Sequence, residues 1–142
     1  MTVLVYDITK ITRGYIAHGV NCQGVMGAGV ALALANKYPD LASFWEARCK
    51  GSERAVPGHC YTFEATPTLT IYNLTTQEFY GRMGRAKVEW IEAAIKDLES
   101  CHMTEDPIFI PPIASGYGGL VWQEIKHLFA LSSLNFIVCD IK

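Results

Sequence analysis

Two glycine-rich segments of the sequence have the composition of loops that bind phosphate. The first runs Asn21-Cys22-Gln23-Gly24-Val25-Met26-Gly27-Ala28-Gly29-Val30-Ala31, and a compact helical pattern continues from it. Glycines in such a loop can adopt positive φ angles and let an anion approach the backbone without Cβ atoms in the way. A helix that begins there adds unpaired N–H groups and the positive end of its dipole. The order GxxGxG is neither the dinucleotide fingerprint nor a P-loop, so this segment alone is equally compatible with a tight, closely packed turn.

The second segment repeats the same arrangement and strengthens the phosphate interpretation. It runs Pro111-Pro112-Ile113-Ala114-Ser115-Gly116-Tyr117-Gly118-Gly119-Leu120, after the short apolar strand Ile108–Ile110 and before a helical pattern. Two such loops at strand-to-helix junctions indicate a ligand with two phosphates, or with a phosphate and a sugar.

Two titratable side chains near the loops suggest further contacts. Asp7 directly follows the first strand, where its carboxylate could accept hydrogen bonds from an exocyclic amine such as that of adenine, or could cap a turn with Thr9. His18, on the second strand, has an ordinary pKa suited to acid–base work near neutrality. Strand alternation puts His18 and Asn21 on opposite faces unless the strand ends or bulges between them, so a structural histidine is the alternative. The other histidines have no comparable context: His59, His102 and His127.

The elements that must position these residues alternate between strand and helix. Strands are predicted over Val3–Tyr6, Tyr15–Val20, His59–Glu64, Thr68–Leu74, Ile108–Ile110 and Phe136–Ile141. Four helices are predicted: Val30–Tyr38, a second helix that Asp40 caps at its start, Gly84–Ser100, and a last helix from Trp122 onward. This order predicts one α/β domain over residues 1–142, a three-layer α/β/α fold with a mixed six-stranded sheet. Ligands in such folds bind at the carboxyl ends of the strands.

Composition narrows the function classes. A net charge of −2, and a basic cluster of only Arg82, Arg85 and Lys87, argue against a protein that grips long nucleic acid by its backbone. No apolar run is long enough to cross a bilayer, and the first residues lack the features of a secretion signal. The five cysteines show no CxxC spacing and predict reduced, mostly buried thiols rather than a metal site. We therefore expect a cytoplasmic monomer with no metal and no cofactor.

Taken in order, these residues resemble the macrodomain family over essentially the whole chain. Asp7-Ile8-Thr9 resembles the family's early Asp-Ile-Thr, whose aspartate contacts adenine. Asn21 with Gly27-Ala28-Gly29-Val30-Ala31 resembles the element that binds the distal ribose and the diphosphate, and Ala114-Ser115-Gly116-Tyr117-Gly118 resembles the second phosphate loop. The resemblance implies that ADP-ribose or a derivative is the ligand. It also implies that Phe79 and Tyr117 contact the distal ribose, and for each of them packing in the core is the alternative. Asp140 is implied to lie near the adenine.

Within the family, the sequence resembles the branch that removes the phosphate from ADP-ribose 1″-phosphate. The resemblance lies in Ala17-His18-Gly19-Val20-Asn21-Cys22-Gln23-Gly24 and in the run from Ile113 to Trp122. A sister branch removes ADP-ribose from proteins or DNA bases and commonly uses a lysine after the fourth strand, where this sequence has Gln77. A subgroup of that branch uses an aspartate in the second loop, where this sequence has Gly118.

Three functions remain open from the sequence. The first is metal-independent hydrolysis of ADP-ribose 1″-phosphate, with His18 and Asn21 as catalytic residues and Asn21 also binding the ribose. The second is an ADP-ribosyl hydrolase acting on protein or nucleic acid. Nucleic acid is expected as a partner only in this case, as a modified substrate. The third is a module that binds or sequesters ADP-ribose without turnover.

Overall fold

Six strands form one mixed sheet in the computed structural model, which describes residues 1–81, 84–116 and 118–141. Their order across the sheet is β1-β6-β5-β2-β4-β3. Only β3 runs antiparallel to its neighbour; the other described pairings are parallel. The strand bounds are β1 Thr2–Leu4, β2 Gly14–Val20, β3 Cys60–Thr66, β4 Leu69–Thr75, β5 Ile108–Ile110 and β6 Phe136–Cys139.

In the described part of the chain, four α-helices cover the two faces of the sheet: α1 Gly29–Lys37, α2 Pro39–Lys50, α3 Val88–Cys101 and α4 Trp122–Ala130. One core cluster joins Leu34, Leu41 and Trp45 of α1 and α2 to Ile16 and Val20 of β2. A second cluster lies on the opposite face, where α3 and α4 pack against Ala17 and the remaining strands. The predicted three-layer α/β/α fold with a mixed six-stranded sheet is therefore confirmed.

Three helix starts differ from the sequence prediction. α1 begins at Gly29, one residue before the predicted Val30. α3 begins at Val88 rather than at Gly84. Before that start, the Ala86 amide donates to the Gly118 carbonyl (2.9 Å) and the Lys87 amide donates to the Thr76 carbonyl (3.3 Å), so this segment is bound to other loops. The Asp40 cap is also wrong: Pro39 occupies the first turn of α2, and Asp40 lies inside that turn. Both residue types are favourable there, since proline needs no N–H partner and a carboxylate interacts well with the helix dipole.

The parallel strands place both glycine-rich loops at the same end of the sheet. β1, β6, β5, β2 and β4 all point the same way, so their carboxyl ends lie together. β2 lies inside the sheet, paired with β5 on one side and β4 on the other. The segments that follow these strands therefore meet over the centre of the sheet.

Candidate functional site

A cleft of about 1220 Å³ lies at the carboxyl ends of the parallel strands. Thirteen residues proposed from the sequence line it: Asp7, Ile8, His18, Asn21, Gly27, Ala28, Gly29, Val30, Ala114, Ser115, Gly116, Gly118 and Asp140. Tyr117 lies outside the described residues. The structure thus brings both glycine-rich loops and Asp7, three residues after the end of β1, to a single cavity.

The first loop is shaped by the side chain of Asn21. Its Oδ1 accepts a hydrogen bond from the Gln23 amide (2.9 Å), and its Nδ2 donates to the Val25 carbonyl (2.8 Å). Gly24 adopts a φ of +79°, and a Cβ there would lie 3.0 Å from the backbone of α2. The Asn21 carbonyl in turn accepts a hydrogen bond from the indole of buried Trp45 (2.9 Å). Asn21 therefore organises the loop as well as bordering the cleft.

The loop leads directly into α1, whose first residue is Gly29. Ala28 is the N-cap residue, and its side chain makes no hydrogen bond to the first amides of the helix. A Cβ built on Gly29 meets no atom within 4 Å, and its φ of +59° favours glycine. This part of the loop leaves open space at the start of a helix, which is where anions bind favourably.

The second loop contains a strained residue. Ala114 adopts a φ of +64°, a left-handed conformation that costs a non-glycine residue roughly 1–2 kcal/mol. Its carbonyl accepts a hydrogen bond from the Leu120 amide (3.0 Å), and the Ser115 hydroxyl donates to the Pro112 carbonyl (2.8 Å). A Cβ on Gly118 would lie 2.7 Å from the Ala114 carbonyl oxygen. A side chain at Gly118 would therefore clash with the Ala114 backbone in this conformation.

Asp7 both caps a turn and borders the cleft. Its Oδ1 accepts from the Thr9 hydroxyl (2.7 Å) and the Thr9 amide (3.0 Å), at the start of the 3₁₀ turn Ile8–Lys10. These two hydrogen bonds, the one from the hydroxyl first, lower the pKa of Asp7 below its ordinary value. Both hydrogen bonds use Oδ1 of the carboxylate. At the end of β6, Asp140 lines the same cleft.

His18 lies under the cleft rather than in its open space. Its side chain is 1% exposed and lies on the face of β2 that carries Ile16 and Val20. Because β2 ends at Val20, both His18 and Asn21 border the cavity although strand alternation separates them. Burial lowers the pKa of His18 to about 4, against a smaller opposing effect of its hydrogen bond to Asn73. The imidazole is therefore neutral at pH 7.

The segment after β4 supplies cleft residues that sequence reasoning did not assign. Thr76, Gln77 and Tyr80 line the cavity, whereas Phe79 does not and is 51% exposed. The Gln77 amide Nε2 donates to the Phe79 carbonyl (2.7 Å), which turns the segment so that Tyr80 borders the cleft. The signal was present in the sequence, because Thr76 follows the end of a parallel strand.

The described thiols at and beside the cleft are protonated at neutral pH. Cys139 lines the cleft, and burial raises its pKa. Burial likewise raises the pKa of the Cys22 thiol, next to Asn21, to about 12. Among residues 1–81, 84–116 and 118–141, no three His, Cys, Asp or Glu side chains are grouped so as to hold a metal ion. Within the same residues, no helix is long and apolar enough to cross a membrane.

Comparison with known sequences identifies relatives but no matching family model. The chain is similar to the DNA ADP-ribosyl glycohydrolase of Thermus aquaticus, with 31% identity over 118 residues, 79% of this chain and 32% of that protein. The protein of the same name from Mycobacterium tuberculosis is 27% identical over 126 residues, 85% of this chain and 35% of that protein. The chain thus spans about a third of the length of these curated relatives.

Solved structures share the fold over nearly the whole chain. The macrodomain of Mycobacterium tuberculosis DarG has a TM-score of 0.83 at 23% identity, covering 98% of this chain and 96% of that one. The macrodomain of Thermus aquaticus DarG has a TM-score of 0.79 at 26% identity, covering 98% and 97%. Thermosipho africanus DarTG, solved in complex with ADP-ribose, has a TM-score of 0.79 at 17% identity, covering 96% and 40%.

The anchoring of the first loop by Trp45 generates a first prediction. The change Trp45→Phe keeps a buried ring but removes the hydrogen bond to the Asn21 carbonyl, so we expect a loss of about 1 kcal/mol in the free energy of unfolding. Urea denaturation measures it. Trp90→Phe, on α3 at the opposite face of the sheet, is the matched control for loss of an indole. A Trp45→Phe protein as stable as the unchanged chain would show that the anchor is not needed.

The buried His18 generates a second prediction, on pH dependence. Its pKa is about 4 in the folded protein and about 6.5 when unfolded, so between these values only the unfolded state binds the proton. The free energy of unfolding should therefore fall by about 3 kcal/mol between pH 6.5 and pH 4, with no such effect above pH 6.5. His18→Gln should lack this component, and His127→Gln, at an exposed site on α4, should retain it. Identical pH profiles for the unchanged protein and His18→Gln would contradict the assignment.

Proposed function

The chain belongs to the macrodomain family, and on that premise we propose that it binds ADP-ribose in the cleft and hydrolyses the bond joining ADP-ribose to a second molecule. The observation that carries the proposal is the meeting of Asp7 and both glycine-rich loops around one cavity. A ligand with an amine-bearing base at one end and a diphosphate in the middle matches these groups. The similarity to DNA ADP-ribosyl glycohydrolases supports the hydrolytic part.

Binding would rely on the loops rather than on cationic side chains. The start of α1 and the second loop line the cleft, and unpaired backbone amides at a helix start can hold phosphate without a lysine or arginine. Asp7 would accept the exocyclic amine of adenine through Oδ2, and Asn21 would lie beside the distal ribose. This arrangement suits a small anionic ligand on a protein whose net charge is −2.

Hydrolysis would transfer ADP-ribose to water. The water oxygen forms a bond to the anomeric carbon of the distal ribose while the bond from that carbon to the conjugate breaks, and the proton lost by water goes to the leaving group. Gln77 lines the cleft, and the sequence resemblance assigns it the place of the sister branch's lysine. Because its amide is neutral, the contribution of this chain would lie in orienting water and ribose, which is a large part of many enzymatic rate enhancements.

The leaving group that this cleft suits best is a nucleobase. Tyr80 borders the cavity and is 56% exposed, and the Phe79 ring beside it is also exposed. Exposed aromatic rings provide surfaces on which bases stack. The curated relatives are named for action on DNA, which supports the same class of substrate.

Phosphate release from ADP-ribose 1″-phosphate stays a prediction from the sequence. His18, its proposed group for proton transfer or water positioning, has a pKa that burial lowers to about 4, so the ring is poorly suited to act as a general acid near neutral pH. We therefore rank it behind glycohydrolase activity.

Binding is tested by the change Gly29→Glu. The new carboxylate would enter the open space at the start of α1, so ADP-ribose affinity should fall at least tenfold by calorimetry, a loss of about 1.4 kcal/mol or more. Gly14→Glu is the matched control. Gly14 also has a positive φ and open surroundings, but it lies at the amino end of β2, opposite the end at which the cleft lies. Equal affinity in the two variants would remove the first loop from the site.

Catalysis is tested with three substrates in the presence of a chelator: a DNA oligonucleotide ADP-ribosylated on a base, an ADP-ribosylated protein, and ADP-ribose 1″-phosphate. We expect ADP-ribose to be released from the DNA, and the Gly29→Glu protein to release none. Phosphate release alone would establish the phosphatase instead. Tight ADP-ribose binding without any release would establish a binding module.

A further inference from the structure

A row of hydrogen bonds crosses three strands beneath the cleft. His18 of β2, Asn73 of β4 and Tyr61 of β3 are direct neighbours in the strand register. His18 Nε2 lies 2.7 Å from Asn73 Oδ1, and Asn73 Nδ2 donates to the Tyr61 carbonyl oxygen (3.0 Å). Both His18 and Asn73 are at most 1% exposed.

The chemistry of the row determines which nitrogen of His18 carries the proton. A backbone carbonyl can only accept, so the Tyr61 carbonyl fixes the NH₂ side of the Asn73 amide toward β3. Oδ1 of Asn73 then faces β2, where it too can only accept. The imidazole must therefore donate through Nε2, which leaves Nδ1 of the neutral ring without a proton.

Nδ1 is a buried acceptor that has no partner among the residues the structure describes. Leaving such a group unpaired costs roughly 1–3 kcal/mol, and nearly all buried polar atoms in proteins have a partner. His18 lines the cleft, so a group seated at the cleft floor is the available donor. The diphosphate of ADP-ribose is esterified at both ends and fully ionised at neutral pH, so it can only accept, whereas a sugar hydroxyl can donate.

We propose that Asn73 is a positioning residue, which holds His18 in the Nε2-protonated tautomer so that bare Nδ1 accepts a hydrogen bond from a sugar hydroxyl of the bound ligand. This inference rests on the proposed binding of ADP-ribose and deepens it, because it places the distal ribose over the end of β2. The diphosphate is then left to the amides of the two loops.

Nitrogen-15 NMR of the histidine side chains tests the role of Asn73 without any ligand. At pH 7, His18 should show a protonated Nε2 and an unprotonated Nδ1. Asn73→Leu, which removes the acceptor, should give a mixture of tautomers. Tyr72→Phe is the matched control, because it removes the buried hydrogen bond to His102 from the other face of the same strand and should leave the His18 signals unchanged. A protonated Nδ1 in the unchanged protein, or a tautomer unaffected by Asn73→Leu, would overturn the proposal.

The sugar contact is tested by comparing ADP-ribose with ADP, which lacks the distal ribose. ADP-ribose should move the Nδ1 signal and ADP should not. Asn73→Leu and His18→Phe should each weaken ADP-ribose binding about tenfold while changing ADP binding less than about twofold, and His18→Gln, which restores a donor and an acceptor, should recover most of the loss. Equal losses for both ligands would indicate a merely structural role, and an unmoved Nδ1 signal with ADP-ribose bound would overturn the contact. Failure of the unchanged protein to bind ADP-ribose would overturn the proposed function and the sugar contact together, whereas the ligand-free tautomer measurement still decides the role of Asn73.

Discussion

The pairing of β2 with parallel strands on both sides is the constraint on which the cleft depends. A strand held by two ladders cannot shift by one residue without moving every side chain to the opposite face, so the register of β2 is strongly specified. That register places His18 beside Asn73 and ends the strand just before Asn21. The first loop therefore starts from a fixed point, and the cleft gains from the sheet a rigidity that loops alone do not have.

Each glycine-rich loop is held in place by bonds made within or behind it. In the first loop the Asn21 side chain closes the turn, and Trp45 ties that turn to the core of the α1–α2 face. In the second loop Ala114 has a left-handed conformation, which is accompanied by the Leu120–Ala114 hydrogen bond and by a close approach of Gly118 to the Ala114 carbonyl. Strain of this kind is typical of functional sites, where the surroundings hold a backbone in a shape it would not adopt alone.

The cleft combines charged and neutral groups. It is lined by the carboxylates of Asp7 and Asp140 and by the neutral side chains of His18 and Gln77. In the proposed binding mode, the neutral ring of His18 accepts from a sugar hydroxyl, whereas a cation at that position would attract the diphosphate. We infer that selectivity for a sugar at that position depends on a histidine that is buried and uncharged.

The sequence by itself determined the elements whose signal is local. Alternation, glycine spacing and strand-to-helix junctions sufficed to predict the six strands, the three layers and two loops at one edge, because each of these depends on residues close together in the chain. Other features depend on partners far along the chain. The amides of Ala86 and Lys87 donate to carbonyls of other loops. Tyr80 lines the cleft and Phe79 does not. The hydrogen bond to Asn73, 55 residues away, determines which nitrogen of His18 carries the proton. Only the tertiary structure decided these, since a hydrogen bond between distant residues has no periodicity that a sequence can display.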